Sequence, residues 1–509
     1  MQHGGGAARG RQRPFRPCSH SGGPDQRTMV KLQPVLFVLG IIICALGVAM
    51  AAVGAFDYVI DGLETSQFLG CAVITLFAGG ALCLASRGPV SGFDHRQAFI
   101  LTVLAWTVGC AFAALPIAVT QNVSYAGAYF ETMSGLTTTG SSVLSGLDTM
   151  PVGTLMWRSL LQWMGGIGII VLAIAVLPFL RVGGMQLFKS ESSDKSEKVL
   201  PRASEIATAT MRVYVILSVL CAICYFAAGM DGFDAVNHAM TTLSTGGFST
   251  SDASFGNWGS PAIHWIGVIF MLAGAMPFVL YVRMAQGAPT ALFRDPQVRA
   301  YLVLVAVVSA AVAIWLVSVK GIDGGVAARL AVFNVVAIST TTGFALGDYN
   351  LWGGFPLVII FILMFVGGPS GSTVGGIKMF RLQIIGIAVK MQLQRMIHPH
   401  AVLPRAYGET RLSDEVIASV VIFANVFILT VALIAIAVAA TGTDFITALT
   451  GAASAVGNIG PGIGAVIGPA ANYASLSDTA LWFLSLGMLL GRLELMTFFI
   501  MLMPAFWRN

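Results

Sequence analysis

Charge is what this sequence has least of. Only 10% of its 509 residues are Asp, Glu, Lys or Arg, against 56% hydrophobic, and the mean hydropathy is +0.82. A soluble domain carries roughly 25% charge, so a chain that meets water over its whole surface is excluded. The apolar segments run about 20 residues without the alternation of a membrane barrel strand, which leaves a helical protein embedded in a lipid bilayer. Catalytic signatures are missing as well. There is no HExxH, GxSxG or Walker A sequence, so the chain reads as a non-enzyme. The seven cysteines outline no disulfide framework. Cys44, Cys71, Cys83, Cys110, Cys221 and Cys224 lie in apolar spans and Cys18 in the N-terminal tail, and Cys221-Ala-Ile-Cys224 reads as small packing residues. The formal charge of +5 reads as membrane topology and not as a nucleic-acid footprint.

Glycine is abundant, with 58 residues, and glycine inside a membrane marks close helix contacts and irregular backbone around pores. One glycine-containing stretch organises the chain. Thr137-Thr138-Thr139-Gly140-Ser141 sits between two segments of membrane-spanning length, and Ser244-Thr245-Gly246-Gly247, Thr340-Thr341-Thr342-Gly343 and Asn458-Ile459-Gly460-Pro461 follow at intervals of roughly a hundred residues. Aligned on Gly140, Gly246, Gly343 and Gly460, these stretches predict four linked copies of one unit around an axis, with Gly457 as a rival for the fourth glycine. Each unit reads long helix, short helix, loop, long helix. The first uses Arg96–Val119, Ala126–Leu136 and Thr154–Leu180; the second Ala207–Gly229, Ala235–Leu243 and Ala262–Ala285. The third uses Val298–Val319, Ala327–Ile338 and Phe355–Val389; the fourth Asp414–Ala440, Phe445–Ala455 and Thr479–Met503. Two further spans, Leu32–Ala55 and Gln67–Ser86, precede them, which makes ten full spans and four half-helices.

The expected organisation is therefore an all-α polytopic membrane protein: residues 1–28 a disordered tail, 29–90 an N-terminal helix pair, then repeats at 91–200, 201–290, 291–400 and 401–509. Met29-Val-Lys-Leu-Gln-Pro is a natural membrane-protein start, so translation is expected to begin at Met29. N-terminal peptide mapping of the native protein checks this, and a peptide from Gly10–Arg16 would refute it. Charge placement sets the orientation. Basic residues gather on one set of connections, at Arg87 and Arg96, at Arg181, Lys189, Lys195, Lys198 and Arg202, at Arg283, Arg294 and Arg299, and at Lys378 through Arg411. The opposite connections carry Asp57, Asp61, Glu64, Glu131, Asp231, Asp323 and Asp444, with Lys320, Arg329 and Arg158 as their basic exceptions. By the positive-inside rule both termini are cytoplasmic and all four loops enter from outside.

A dehydrated monovalent cation needs oxygen dipoles in place of its water shell. Backbone carbonyls of an extended loop provide them, glycine lets successive carbonyls face one axis, and such a loop is tolerated at membrane depth only along an aqueous path. Each short helix aims its negative C-terminal end at that axis. Glu131, Asn237 and Asn334, nine residues before their glycines, are expected to brace the short helices.

Phe130-Glu-Thr-Met-Ser-Gly-Leu-Thr-Thr-Thr-Gly140, with Trp157-Arg-Ser-Leu-Leu-Gln-Trp-Met-Gly-Gly-Ile-Gly168, resembles the Trk/Ktr/HKT superfamily of potassium transporters, and within it the bacterial TrkH/TrkG membrane subunits. Gly183-Gly-Met-Gln-Leu187, Gly367-Gly-Pro-Ser-Gly-Ser-Thr-Val-Gly-Gly-Ile-Lys378 and Gly491-Arg-Leu-Glu-Leu-Met-Thr497 extend the likeness from about Met29 to the C-terminus. The resemblance implies one selectivity filter for a transported potassium ion. Its ligands would come from Thr138 and Thr139, Ser244 and Thr245, Thr341 and Thr342, and Asn458 and Ile459, with Gly140, Gly246, Gly343 and Gly460 as filter glycines. In plant relatives a serine at the first filter glycine goes with sodium transport, so Gly140 argues for potassium.

The stretch Gly367–Gly376 interrupts the last helix of the third unit. Gly367, Gly368, Gly371, Gly375 and Gly376 with one proline cannot continue a helix. In TrkH-like proteins the equivalent segment is an intramembrane gate under the filter, followed here by Lys378. Arg492 is a cation in a membrane span and needs a cavity or a partner; the resemblance places it in the pore as a barrier working with that loop, and Glu494, two residues on, does not share its helix face. The family further implies a homodimer on cytosolic nucleotide-binding TrkA-type subunits, in a bacterial cytoplasmic membrane. Coupling to sodium or protons on the same fold is the alternative to a gated pore. An inverted-repeat transporter would set equivalent loops on opposite faces, against the charge pattern.

Overall fold

The computed structural model describes residues 32–88, 94–175, 199–399, 406–407, 410–493 and 495–507. The expected tail, the Met29 start, Cys18, Arg181, Gly183–Leu187, Lys189, Lys195, Lys198, Arg405 and Glu494 lie outside them. The described residues are helical except for connecting loops and a two-residue strand pair, Ala406–Tyr407 antiparallel to Thr410–Arg411.

Among the described residues six helices are long and apolar enough to cross a membrane: Gln33–Ile60, Thr65–Ala85, Arg96–Thr120, Glu205–Ala227, Pro296–Lys320 and Asp414–Ala439. Each buries less than half of its apolar window inside the protein. Phe77, Val303, Val307 and Ile436 stand exposed on outward faces, the arrangement a hydrocarbon solvent allows and water does not. The N-terminal pair packs through small residues. A Cβ on Gly40 would lie 2.9 Å from the Gly79 carbonyl oxygen, and the thiols of Cys44 and Cys83 fill the same seam, which is how helices approach closely where lipid removes the hydrophobic drive.

Two expected spans are broken. Ala262–Ala285 is in fact Pro261–Gly274 and Phe278–Ala285, meeting at 90°. Pro277 has no N–H to continue the ladder, and its ring crowds the preceding turn. Thr479–Met503 is likewise Asp478–Arg492 and Leu495–Leu502, bent by 107°. The third unit's last span is split into Gly354–Leu363 and Met379–Ile397 by a loop at 364–378. Among the described residues six helices pass as unbroken spans, or eight spans with each bent pair counted as one. The expected Thr154–Leu180 is described only as Val152–Ala175, and the third unit's last span carries the interruption its glycine run implies.

Four short buried helices, Tyr125–Leu136, Gly232–Leu243, Gly324–Ser339 and Phe445–Gly457, stand between the long ones. Each starts at a side chain that accepts an N–H of its first turn: Ser124, Asp231, Asp323 and Asp444. The Asp444 carboxyl is held below its usual range, first by its hydrogen bond to Thr447. At the other end Leu136, Leu243 and Val456 present carbonyls to Gly165, Gly274 and Gly491 of the following helices, where any Cβ would collide with the carbonyl.

Candidate functional site

Where each short helix ends, the chain takes the same turn. Thr138, Thr245, Thr341 and Asn458 have φ of 53°, 53°, 51° and 55°. Left-handed backbone is cheap for Asn but strained for β-branched Thr, costing about 1–3 kcal/mol per site, and it persists only where surrounding bonds over-determine it. They do. The N–H groups of these four residues bond three residues back, and those of Thr139, Gly246, Thr342 and Ile459 bond five residues back, at 2.8–3.0 Å, to Ser134, Thr241, Ala337 and Ser454.

This ladder corrects the register of the second loop. Gly246 stands where Thr139, Thr342 and Ile459 stand, and the glycine matching Gly140, Gly343 and Gly460 is Gly247. All four of the latter have positive φ, at 89°, 82°, 77° and 112°. All four line one cavity of about 270 Å³. Ser244 thereby corresponds to Thr137 and not to Thr138. In the fourth loop Gly457 ends the short helix, and Gly460 takes the glycine position.

The four turns close on one another. A Cβ on Gly140 would overlap the Gly246 carbonyl oxygen, one on Gly247 that of Thr342, one on Gly343 that of Ile459, and one on Gly460 would lie 3.0 Å from that of Thr139. Each loop's glycine receives the next loop's carbonyl, and the fourth returns to the first. Among the described residues no group of three or more His, Cys, Asp or Glu could hold a metal, so the ring offers neutral oxygens.

The hydroxyls brace the ring. Thr137 and Thr139 Oγ1 lie 2.7 Å apart, as do those of Thr340 and Thr342. Tyr473, Ser141 and Ser454 each donate to the Gly460 carbonyl at 2.8 Å. Further out, Glu131 accepts the Val143 N–H at 2.8 Å, and Asn334 takes the Leu346 N–H and donates to its carbonyl. Asn237 instead donates within its own helix to Phe233. The one-residue shift puts His238 at the matching position, with its Nε2 3.0 Å from Ser249 Oγ. Arg158, a charge exception in the sequence, is buried and paired with Glu131 at 2.8 Å, donates to Ser249 O and Ser142 Oγ, and lies 4.2 Å over the Phe248 ring. The signal for that pair was two opposite charges near one membrane-buried loop.

The glycine-rich stretch is a loop pinned at its neck, with Gly367 N–H on Ile377 O and Ile377 N–H on Phe365 O. Its tip sits directly beneath the ring. Thr373 Oγ1 meets Thr245 Oγ1 at 2.9 Å, Gly375 N–H donates to Thr341 Oγ1 at 2.9 Å, and Gly375 packs on Gly457 O. Lys378 Nζ donates to Val374 O. Arg492, 5% exposed, donates Nη1–H to Thr373 O at 2.8 Å, while its Nε and Nη2 have no partner among the described residues.

A family profile described as "Cation transport protein", TrkH, matches residues 64–508. The chain is 44% identical to the Trk system potassium uptake protein TrkI of Halomonas elongata over 95% of this chain and 98% of that one. It is 37% identical to the TrkH of Escherichia coli K12 over 86% and 91%. The crystal structure of the potassium transporter TrkH from Vibrio parahaemolyticus superposes with a TM-score of 0.87, at 34% identity, over 94% of this chain and 100% of that one. With the family profile matched over residues 64–508 and relatives matched over 86–95% of its length, this chain belongs to the TrkH cation transport family.

Proposed function

We propose that this protein is the membrane subunit of a Trk-type potassium uptake system, and that four pseudo-repeats, residues 91–200, 201–290, 291–400 and 401–509, surround one pore whose filter is the ring of loops. The observation that carries this reading is the set of left-handed turns at Thr138, Thr245, Thr341 and Asn458, linked glycine to carbonyl around a closed circuit. Carbonyl groups so placed replace the hydration shell of a monovalent cation. The cation is the cargo, with ligands from Thr138, Thr139, Thr245, Gly246, Thr341, Thr342, Asn458 and Ile459. Glycines Gly140, Gly247, Gly343 and Gly460 allow the close approach, and the short helices' negative ends favour the ion.

The gate is the loop with Gly367, Gly368, Gly371, Gly375 and Gly376, closed by Lys378 at its base and Arg492 at its tip. Both termini and the basic connections face the cytoplasm, in a bacterial inner membrane. A homodimer on a TrkA-type nucleotide-binding subunit is the proposed assembly. Rubidium uptake in a host lacking its own potassium uptake systems tests the reading. Uptake by the chain, raised or made nucleotide-dependent by a TrkA-type partner, is expected. No uptake with protein present in the membrane, with or without that partner, would refute it.

Gly140→Ser is expected to reduce potassium-over-sodium preference by about tenfold, equivalent to ~1.4 kcal/mol of lost discrimination. The new Cβ meets the Gly246 carbonyl at a φ of 89°, so that carbonyl must move. Unchanged preference in competition uptake would count against the filter assignment.

A further inference from the structure

The second loop lacks what braces the first and third. Where those carry the hydroxyl pairs Thr137–Thr139 and Thr340–Thr342, it has Ser244 and Gly246, and a glycine contributes no hydroxyl. The gap is filled from the helix Val152–Ala175. Gln162, fully buried, donates Nε2–H to Gly246 O at 2.7 Å and accepts the Phe248 N–H on Oε1 at 3.0 Å. A Cβ on Gly246 would overlap this carboxamide, so the Gln162 side chain occupies the space of the missing one. The same Gly246 oxygen is the one wedged against Gly140 at the seam between the first and second loops. Gln162 also belongs to a stripe at helical spacing that follows the second loop: Arg158 holds Ser249 O, Gln162 holds Gly246 and Phe248, and Gly166 packs on Ser244.

We propose that Gln162 is a specificity-determining positioning residue, which replaces the absent side chain of Gly246 and fixes that peptide so that the second loop matches the other three. The inference rests on the ring being a cation filter. Both bonds of the carboxamide are needed: one orients the carbonyl, and the other stops the chain beyond Gly247 from rotating it. Without them the Gly246 carbonyl is free to follow a smaller ion inward, and discrimination between potassium and sodium falls.

The test uses the purified full-length protein in detergent, with thermal unfolding followed in potassium, rubidium or sodium chloride, beside rubidium uptake in cells. Gln162→Met keeps the volume and loses both bonds. Gln162→Glu keeps the acceptor for Phe248 and loses the donor. Both are expected to fold and to bind potassium, with the potassium-to-sodium ratio of apparent affinities lowered by about tenfold. An unchanged ratio in either variant overturns the inference. So does loss of folded protein in both, which would make Gln162 structural only. Absence of any ion-dependent stabilisation in the unsubstituted protein would instead refute the filter reading beneath it.

Discussion

Arg492→Ala is expected to raise potassium flux by roughly tenfold or more in rubidium uptake, with the protein present in the membrane at unchanged level. Two effects act in the same direction. In the proposed pore the guanidinium would repel the ion: two like unit charges about 8 Å apart at an effective dielectric near 20 repel by ~2 kcal/mol, roughly thirtyfold in occupancy. The same group donates Nη1–H to Thr373 O of the glycine-rich loop, a contact that would latch the proposed gate. Among the described residues its Nε and Nη2 are buried without partners, an arrangement that costs folding free energy, so packing alone does not account for a cation here. Arg492→Lys separates the two effects. It keeps the charge and loses the reach to Thr373, so flux close to the unsubstituted protein assigns the barrier to charge, and flux close to Arg492→Ala assigns it to the latch. Unchanged or lower flux in Arg492→Ala refutes both.

Much of this site was legible in the sequence because its parts are short, polar and embedded in apolar surroundings. Hydroxyl-glycine loops at membrane depth have few uses, and a run such as Gly367–Gly376 cannot be helix. The errors fall where neighbouring residues share a chemistry. Gly246 and Gly247 are both able to take positive φ, and only the hydrogen bonds back to Thr241 and Thr242 decide between them. Once that residue is misplaced, Asn237 is selected in place of His238. The break at Pro277 was visible in principle, since proline ends a helix. The break after Arg492 has no proline to mark it, and is imposed where Gly491 packs on Val456 O and Leu493 closes the helix. Arg158 stands in the sequence as a topological exception because its partner Glu131 lies 27 residues earlier, a distance at which pairing is a matter of tertiary structure.

That pair supports the other large effect. Arg158→Met leaves the Glu131 carboxylate buried with only Ser142 Oγ and the Val143 N–H, and breaking a buried pair from one side costs about 3–5 kcal/mol. The loss is expected to appear as a sharp fall in thermal stability and in membrane-inserted yield. Removing both charges, as Glu131→Gln with Arg158→Met, should recover much of it, because the stranded charge and not the missing attraction dominates the cost. The recovery is expected to be incomplete. Arg158 also joins Ser142 of the first loop to Ser249 of the second and covers Phe248, links that no substitution at Glu131 restores. A double variant as unstable as Arg158→Met alone would mean that these links, and not charge burial, are what Arg158 contributes. A single variant of unchanged stability would mean that the carboxylate finds another partner. Between those limits, the residual loss in the double variant measures how firmly the first and second loops are tied above the ring.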